Sequence, residues 1–308
     1  MRVEVIISTY NGAEYLEEQI ASILNQENVD THITVRDDGS TDSTLDILNA
    51  QCKKYPGRIS LIKGNNIGYR KSFLFGLKES ESADYYAFSD QDDIWLPNKL
   101  SKAVENLNKL NSDIKLYVSS LKITDRYLNE IGVNDISNMT NSLRCYFARP
   151  RLAGCTYVFN KSLKDAAIKL FELLIDDGIN DISFPDHDFV VGAIGFACGE
   201  VYIDKDSFIL HRRLSSSITG GGNGIRKRIQ TEYKCFFARK KVRSLISEYL
   251  LSSFQEQLRP DVTDFLIATS VYNRSLPGKR KLMKYEGFSS NIPVCDIETK
   301  LCILLGVF

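Results

Sequence analysis

Three carboxylates, Asp90, Asp92 and Asp93, stand within four positions directly after the apolar run Tyr85-Tyr86-Ala87-Phe88-Ser89. Acids packed this closely repel one another unless a cation sits among them. A hard divalent ion, Mg²⁺ or Mn²⁺, takes oxygen ligands and commonly bridges to substrate phosphates. Asp92 and Asp93 are the candidate ligands, with Asp90 and Gln91 beside them as candidate donor contacts. An acidic turn that caps the following helix is the structural alternative for such a short motif.

Other polar stations could serve the same chemistry. Asp37-Asp38 precedes Gly39-Ser40-Thr41-Asp42, and a carboxylate there could accept the N3–H of uracil or thymine. A helix cap fits the same residues. Thr9-Tyr10-Asn11 breaks the first apolar run and could line that pocket. Gly68-Tyr69-Arg70-Lys71 offers close backbone approach and a cation, Lys71, for diphosphate oxygens. Pro185-Asp186-His187-Asp188 opens an apolar helix, where Asp188 could deprotonate a hydroxyl or merely cap the helix.

The elements that must position these groups follow from periodicity. Short apolar runs at 3–8, 32–36, 59–62 and 85–89 read as strands. Between them, 13–26, 44–55 and the stretch bearing Phe73, Leu74 and Leu77 have helical spacing. A further helix carries Leu100, Val104, Leu107 and Leu110. Such alternation predicts an α/β fold, a mostly parallel, Rossmann-like sheet flanked by helices. Ligands of such sheets sit at the carboxyl ends of strands, where every station but the last falls. Beyond residue 110 the pattern is less regular. Strands are expected at 116–120, 154–159 and 200–204, helices at 161–174 and from Pro185, and a polar loop over the site at 125–150. A Ser- and Gly-rich stretch at 215–224 marks the expected end of a catalytic domain, 1–220, with a helical region, 221–308, appended.

Composition narrows the class. The chain has 308 residues, 43% of them hydrophobic and 25% charged, so it can bury a sizeable core. Its 39 basic and 39 acidic residues cancel, so bulk charge argues neither for nor against a nucleic-acid partner, and none is expected. Seven scattered cysteines without a C-x-x-C pair point to reduced thiols and a cytoplasmic protein. Met1-Arg2-Val3-Glu4 runs straight into a strand, so no leader is expected, and no apolar run reaches the ~20 residues of a membrane span. Residues 226–249 read as a basic amphipathic helix, with eight Lys/Arg between 226 and 243. Residues 226–250 could therefore touch the inner face of the cell membrane, or their apolar stripe could pack on the domain.

Taken in order, these stations resemble family-2 glycosyltransferases of the GT-A fold. The resemblance rests on Ile6-Ile7-Ser8-Thr9-Tyr10-Asn11, Arg36-Asp37-Asp38-Gly39-Ser40-Thr41-Asp42, Asn66-Ile67-Gly68, Ser89-Asp90-Gln91-Asp92-Asp93, Gly154-Cys155-Thr156 and His187-Asp188. The run from Phe88 to Trp95 is similar to bacterial rhamnosyltransferase-type members. The resemblance covers about residues 3–220. It implies inverting transfer of a sugar, rhamnose being one candidate, from a UDP- or dTDP-linked donor to an acceptor hydroxyl. The acceptor would be a lipid-linked saccharide of bacterial surface polysaccharide synthesis. It also implies roles: Asp38 for the pyrimidine base, Thr9, Tyr10 and Asn11 for the nucleotide, and Asp90 for ribose or donor sugar. Asp92 with Asp93 would take the metal and Asp188 would be the catalytic base. The chain departs from the family where a histidine usually follows the last strand: that position is Leu214. His211 lies three residues earlier, and Arg212 or Arg213 would meet the diphosphate instead. Two other functions stay open: a nucleotidyltransferase, for which the loop at 8–12 lacks the expected lysine, and a catalytically silent saccharide-binding module.

Overall fold

The computed structural model describes residues 1–150, 152–181, 183–214 and 241–308. The Ser- and Gly-rich stretch, the boundary expected at 220 and residues 226–240 of the basic segment lie outside the described residues. The chain divides into two compact units. The first comprises Met1–Ser137, Leu152–Ile168 and Val201–Arg212; the second comprises Asn138–Arg151, Lys169–Glu200 and Arg213–Phe308.

The first unit is built on a sheet. Strands β1 (Arg2–Thr9), β2 (Asp30–Asp37), β3 (Ile59–Lys63) and β4 (Tyr85–Ser89) pair in parallel in the order β3-β2-β1-β4. Their registers set Thr9 opposite Asp37 and Ile7 opposite Ser89, so three carboxyl ends emerge side by side. All five residues of β4 are buried, as a strand covered on both faces requires. Helices α1 (Leu16–Leu24), α2 (Thr44–Lys54), α3 (Tyr69–Glu79) and α4 (Lys99–Leu107) follow the strands. Leu16, Ile20 and Ile23 of α1 and Leu100, Ala103, Val104 and Leu107 of α4 join Val3, Val5, Ile33 and Val35 in one core.

Past β4 the parallel pattern ends. β5 (Ile94–Trp95), β6 (Lys115–Thr124), β7 (Glu130–Asn134), β8 (Val158–Asn160) and β9 (Glu200–Arg212) complete a nine-stranded mixed sheet among the described residues. Its order continues β4-β8-β6-β9-β5, with β7 on β6, and β4–β8, β6–β8, β6–β7 and β5–β9 are antiparallel.

Three expected elements come out differently. The polar 125–150 stretch holds β7 and a helix, α5 (Leu143–Ala148). Its aromatics explain this, since Tyr146 stacks on Phe189 and Phe196 with centroids 5.5 and 4.9 Å away. Residues 154–156 form a 3₁₀ turn, not a strand, because the Thr156 hydroxyl and amide both bond back to the Ala153 carbonyl. The basic helix expected over 226–249 is described only from Lys241 onward, and is broken there. Lys241 sits at φ 64°, in the left-handed region, so α8 starts at Val242 and ends at Ser253.

The second unit also holds α7 (His187–Cys198), preceded by α6 (Lys161–Asp176), inside which the division falls. After α8 come α9 (Thr263–Val271), α10 (Leu276–Met283) and α11 (Pro293–Leu305). An aromatic chain centres this unit. Phe265 lies 5.8 Å from Phe147 and 5.4 Å from Phe288, and Phe288 lies 5.5 Å from Phe308. No helix of the described residues is long and apolar enough to cross a membrane.

Candidate active site

The polar ends of β1, β2 and β4 are wired together. The Thr9 hydroxyl and the Tyr10 amide both donate to Gln91 Oε1, at 2.7 and 3.0 Å. Asn11 accepts from the Thr41 amide at 2.8 Å, while its own amide donates to Ser40 Oγ at 2.9 Å. The Asp38 amide donates to the Thr9 carbonyl at 2.8 Å. A side chain at Gly12 would displace the Thr9–Gln91 contact, because a Cβ would stand 2.5 Å from Gln91 Oε1 and 2.7 Å from Thr9 Oγ1. Gln91, placed in the sequence as a donor contact, therefore braces the loops that carry Thr9 and Tyr10.

Asp38 is buried and holds the loop after β3. Its Oδ1 accepts from Arg36 Nη1 at 2.5 Å and from the Ile67 amide at 2.9 Å; its Oδ2 accepts from the Gly68 amide at 2.9 Å. A carboxylate oxygen can accept two bonds, and Oδ2 receives one among the described residues. Gly68, at φ 81°, supplies the left-handed turn that aims its amide at Asp38. Lys71 follows in the first turn of α3, half-buried. Asp37 uses Oδ2 to bind the Gly39 and Ser40 amides, which shapes the turn after β2.

The acidic loop is organised by β9. β5 and β9 pair antiparallel with Ile94 opposite Leu210 and Trp95 opposite Ile209. Continuing that register sets Asp93 opposite His211 and Asp92 opposite Arg212. Accordingly, His211 Nδ1 lies 2.9 Å from Asp93 Oδ1, and Arg212 Nη1 donates to the Asp92 carbonyl at 3.0 Å. Ligand atoms of Asp90, Asp93, Cys155 and His211 all lie within 4.8 Å of one another. Asp93 is fully buried, and its Oδ2 has no hydrogen-bond partner among the described residues. An orphaned carboxylate oxygen inside such a cluster is what a cation would satisfy. Two carboxylates suit Mg²⁺ or Mn²⁺, while the imidazole and the thiol make the donor set softer than Mg²⁺ prefers.

The charges support one another. Burial, and then Asp93, raise the Asp92 carboxyl to about 6. Burial acts to lower the His211 imidazole, but Asp93, Asp90 and Asp92 outweigh it and raise it to about 9. His211 thus carries the positive charge that offsets the acids, the charge a bound cation would supply in its place. Burial, with Asp93 and Asp90, pushes the Cys155 thiol well up.

The sequence placed the metal on Asp92 and Asp93. Within the described cluster the structure has Asp93 but not Asp92, and adds Asp90, Cys155 and His211. Arg212, placed in the sequence on the diphosphate, is 3% exposed and occupied: it holds the Asp92 carbonyl, pairs with Glu18 at 2.5 Å and lies over the Tyr15 ring. Its register position and those partners make it a clamp on the acidic loop. Asp188 lies in the first turn of α7, in the other unit, and its backbone carbonyl accepts from the Tyr146 hydroxyl at 3.3 Å.

Lys99 was not anticipated. It is fully buried, its Nζ stands 3.6 Å over the Trp95 ring, and that nitrogen has no hydrogen-bond acceptor among the described residues. Burial lowers it to about 7, against a smaller upward pull from Cys155 and Asp93. The unfolded chain binds this proton up to about pH 10, so between about pH 7 and 10 unfolding takes up protons and stability rises with pH. Lys99→Met should remove both the buried charge and this rise. We expect a variant about 1–4 kcal/mol more stable at pH 7, a margin that shrinks toward pH 10. Thermal melts across that range check it. A variant less stable at pH 7, or a constant margin, would count against the charge as the cause.

Residues 4–169 match the family model described as glycosyl transferase family 2. The chain belongs to that family. The dTDP-rhamnosyl transferase RfbG of Shigella flexneri is 30% identical to this glycosyltransferase over 227 residues, 70% of this chain and 73% of RfbG. An uncharacterized glycosyltransferase of Nostoc sp. is 37% identical over 125 residues, 41% of this chain and only 38% of that relative. Among solved structures, S. aureus TarS in complex with UDP-GlcNAc aligns with a TM-score of 0.58 at 17% identity, over 100% of this chain and 82% of that one. That likeness shows the GT-A fold of this glycosyltransferase, mixed sheet and C-terminal helices included.

Proposed function

We propose that this family-2 glycosyltransferase moves a sugar from a pyrimidine nucleoside diphosphate donor to an acceptor hydroxyl, with inversion and with the help of a divalent ion. What carries the proposal is the cluster of Asp90, Asp93, Cys155 and His211 beside the hydrogen-bonded ends of β1 and β2. Asp38 Oδ2 accepts the N3–H of the base. A base without that N–H leaves the buried oxygen short of a partner, a strong ground for rejection. Thr9, Tyr10 and Asn11 line the nucleotide, and Lys71 meets diphosphate oxygens as a point charge. Asp93, Asp90 and His211 would hold the ion, which would supply positive charge against that building on the leaving diphosphate. Asp188 takes the proton of the attacking hydroxyl as its oxygen reaches the anomeric carbon from the face opposite the diphosphate.

The likeness to RfbG, a dTDP-rhamnosyl transferase, favours dTDP-rhamnose as the donor. The acceptor is then a saccharide, lipid-linked, of bacterial surface polysaccharide synthesis. Thermal-shift measurements with UDP-, dTDP- and GDP-sugars, with and without Mn²⁺, test the proposal. A dTDP- or UDP-sugar at about a hundred times its Kd should stabilise the protein by about 2.7 kcal/mol, and more with the ion present. Stabilisation by GDP-sugars alone, or release of pyrophosphate in place of nucleoside diphosphate, would overturn it. Donor binding without hydrolysis or transfer to any acceptor would mark a silent binding module.

A further inference from the structure

We propose that the outward face of α11, with the cations beside it, docks on an anionic membrane surface. The inward face of α11 is settled in the second unit: Thr299, Cys302 and Ile303 are buried, and the Thr299 hydroxyl donates to the Ala148 carbonyl at 2.7 Å. The outward face carries Val294, Ile297, Leu301, Leu304 and Leu305, which are 61, 61, 53, 49 and 70% exposed. Spacings of three and four residues put them in one stripe. An ordinary surface helix turns polar residues to water, and a contiguous apolar stripe in their place marks an interaction site. The neighbouring α10 extends it, since Lys279 Nζ reaches the Leu304 carbonyl at 2.8 Å and Leu276 is 68% exposed.

Charge identifies the occupant. Arg274, Lys279, Arg280, Lys281, Lys284 and Lys300 fall on or beside these two helices, all but Lys279 exposed. Lys300 is three residues after Ile297 and four before Leu304, so it borders the stripe. The acids of the same stretch are fewer. Asp296 accepts from Ser289 and Ser290, Glu298 pairs with Arg149, and Glu286 is exposed. A second copy of the chain would meet this face with the same cations, because a two-fold interface sets like against like. An anionic bilayer offers the opposite charge and an apolar layer beneath it. With 13 residues α11 is too short to span and would lie in the interface.

Flotation of the full chain with vesicles tests this. Vesicles of equal parts phosphatidylcholine and phosphatidylglycerol should carry the protein upward at low salt, and phosphatidylcholine alone should carry far less. The double variant Ile297→Asp, Leu301→Asp should abolish flotation with an unchanged melting temperature, because both positions face solvent. Lys281→Ala with Lys284→Ala should lower the partition coefficient roughly twenty-five-fold, about fivefold for each cation lost. Flotation that survives both variants would overturn the proposal. So would a protein that ignores the vesicles and instead forms a dimer, seen by light scattering, that the aspartate variant splits.

Discussion

Asp93→Asn should lower kcat/KM for sugar transfer by about three orders of magnitude while the protein stays folded. The expectation follows from the position of Asp93. It is fully buried, it meets His211 through Oδ1, and its Oδ2 has no hydrogen-bond partner among the described residues, in a cluster of four ligating groups. A Lewis-acidic ion is worth several kcal/mol to a leaving diphosphate, and 1.36 kcal/mol is tenfold in rate. Asparagine keeps the shape but loses the charge, so Mn²⁺ affinity should fall with the rate. Titration calorimetry and initial rates read the two separately. A third reading comes from His211, whose imidazole is held at about 9 chiefly by Asp93 against the opposing effect of burial. In the variant it should titrate at lower pH, which proton NMR would follow, and an unpaired His211 then sheds its proton instead of staying buried as a charge. Asp92→Asn is the matched comparison. Asp92 is outside the cluster, so this variant should lose much less Mn²⁺ affinity than Asp93→Asn. Wild-type turnover and Mn²⁺ affinity in Asp93→Asn would remove that residue from the mechanism.

Asp188→Asn should cut kcat by about 10²–10⁴-fold, the range a positioned general base contributes. Mn²⁺ binding and donor binding should both survive, because Asp188 belongs to neither the cluster nor the nucleotide loops. The pH–rate profile should also lose its acidic limb, since an amide has no proton to release as pH rises. Single-turnover kinetics with donor and acceptor saturating would isolate the step. If the variant instead lost donor binding, Asp188 would be a donor contact and the base would have to be found elsewhere.

Much of the site was legible because parallel strands of this fold class announce themselves locally. β1 to β4 are short apolar runs, each followed by a helix, and in open α/β sheets the ligand groups gather where such strands end. Thr9, Asn11, Asp38 and Asp90 could therefore be assigned to one polar edge before any distance was known. What pairs with what inside that edge was not local information. Asp38 turned out to be tied by Arg36 and the Ile67 and Gly68 amides, and Gln91 to brace Thr9.

The sequence by itself determined the alternation of strand and helix, the polar ends of the strands and the family pattern, because hydrophobic period and turn chemistry act over a few residues. Only the tertiary structure decided that His211 joins Asp93, that Arg212 clamps Asp92, and that Lys99 is buried over Trp95. Those outcomes depend on an antiparallel pairing between residues 94–95 and 209–210, more than a hundred positions apart. A one-residue slip in that register would turn the opposite set of side chains toward the acids, and nothing in the spacing of nearby residues specifies it.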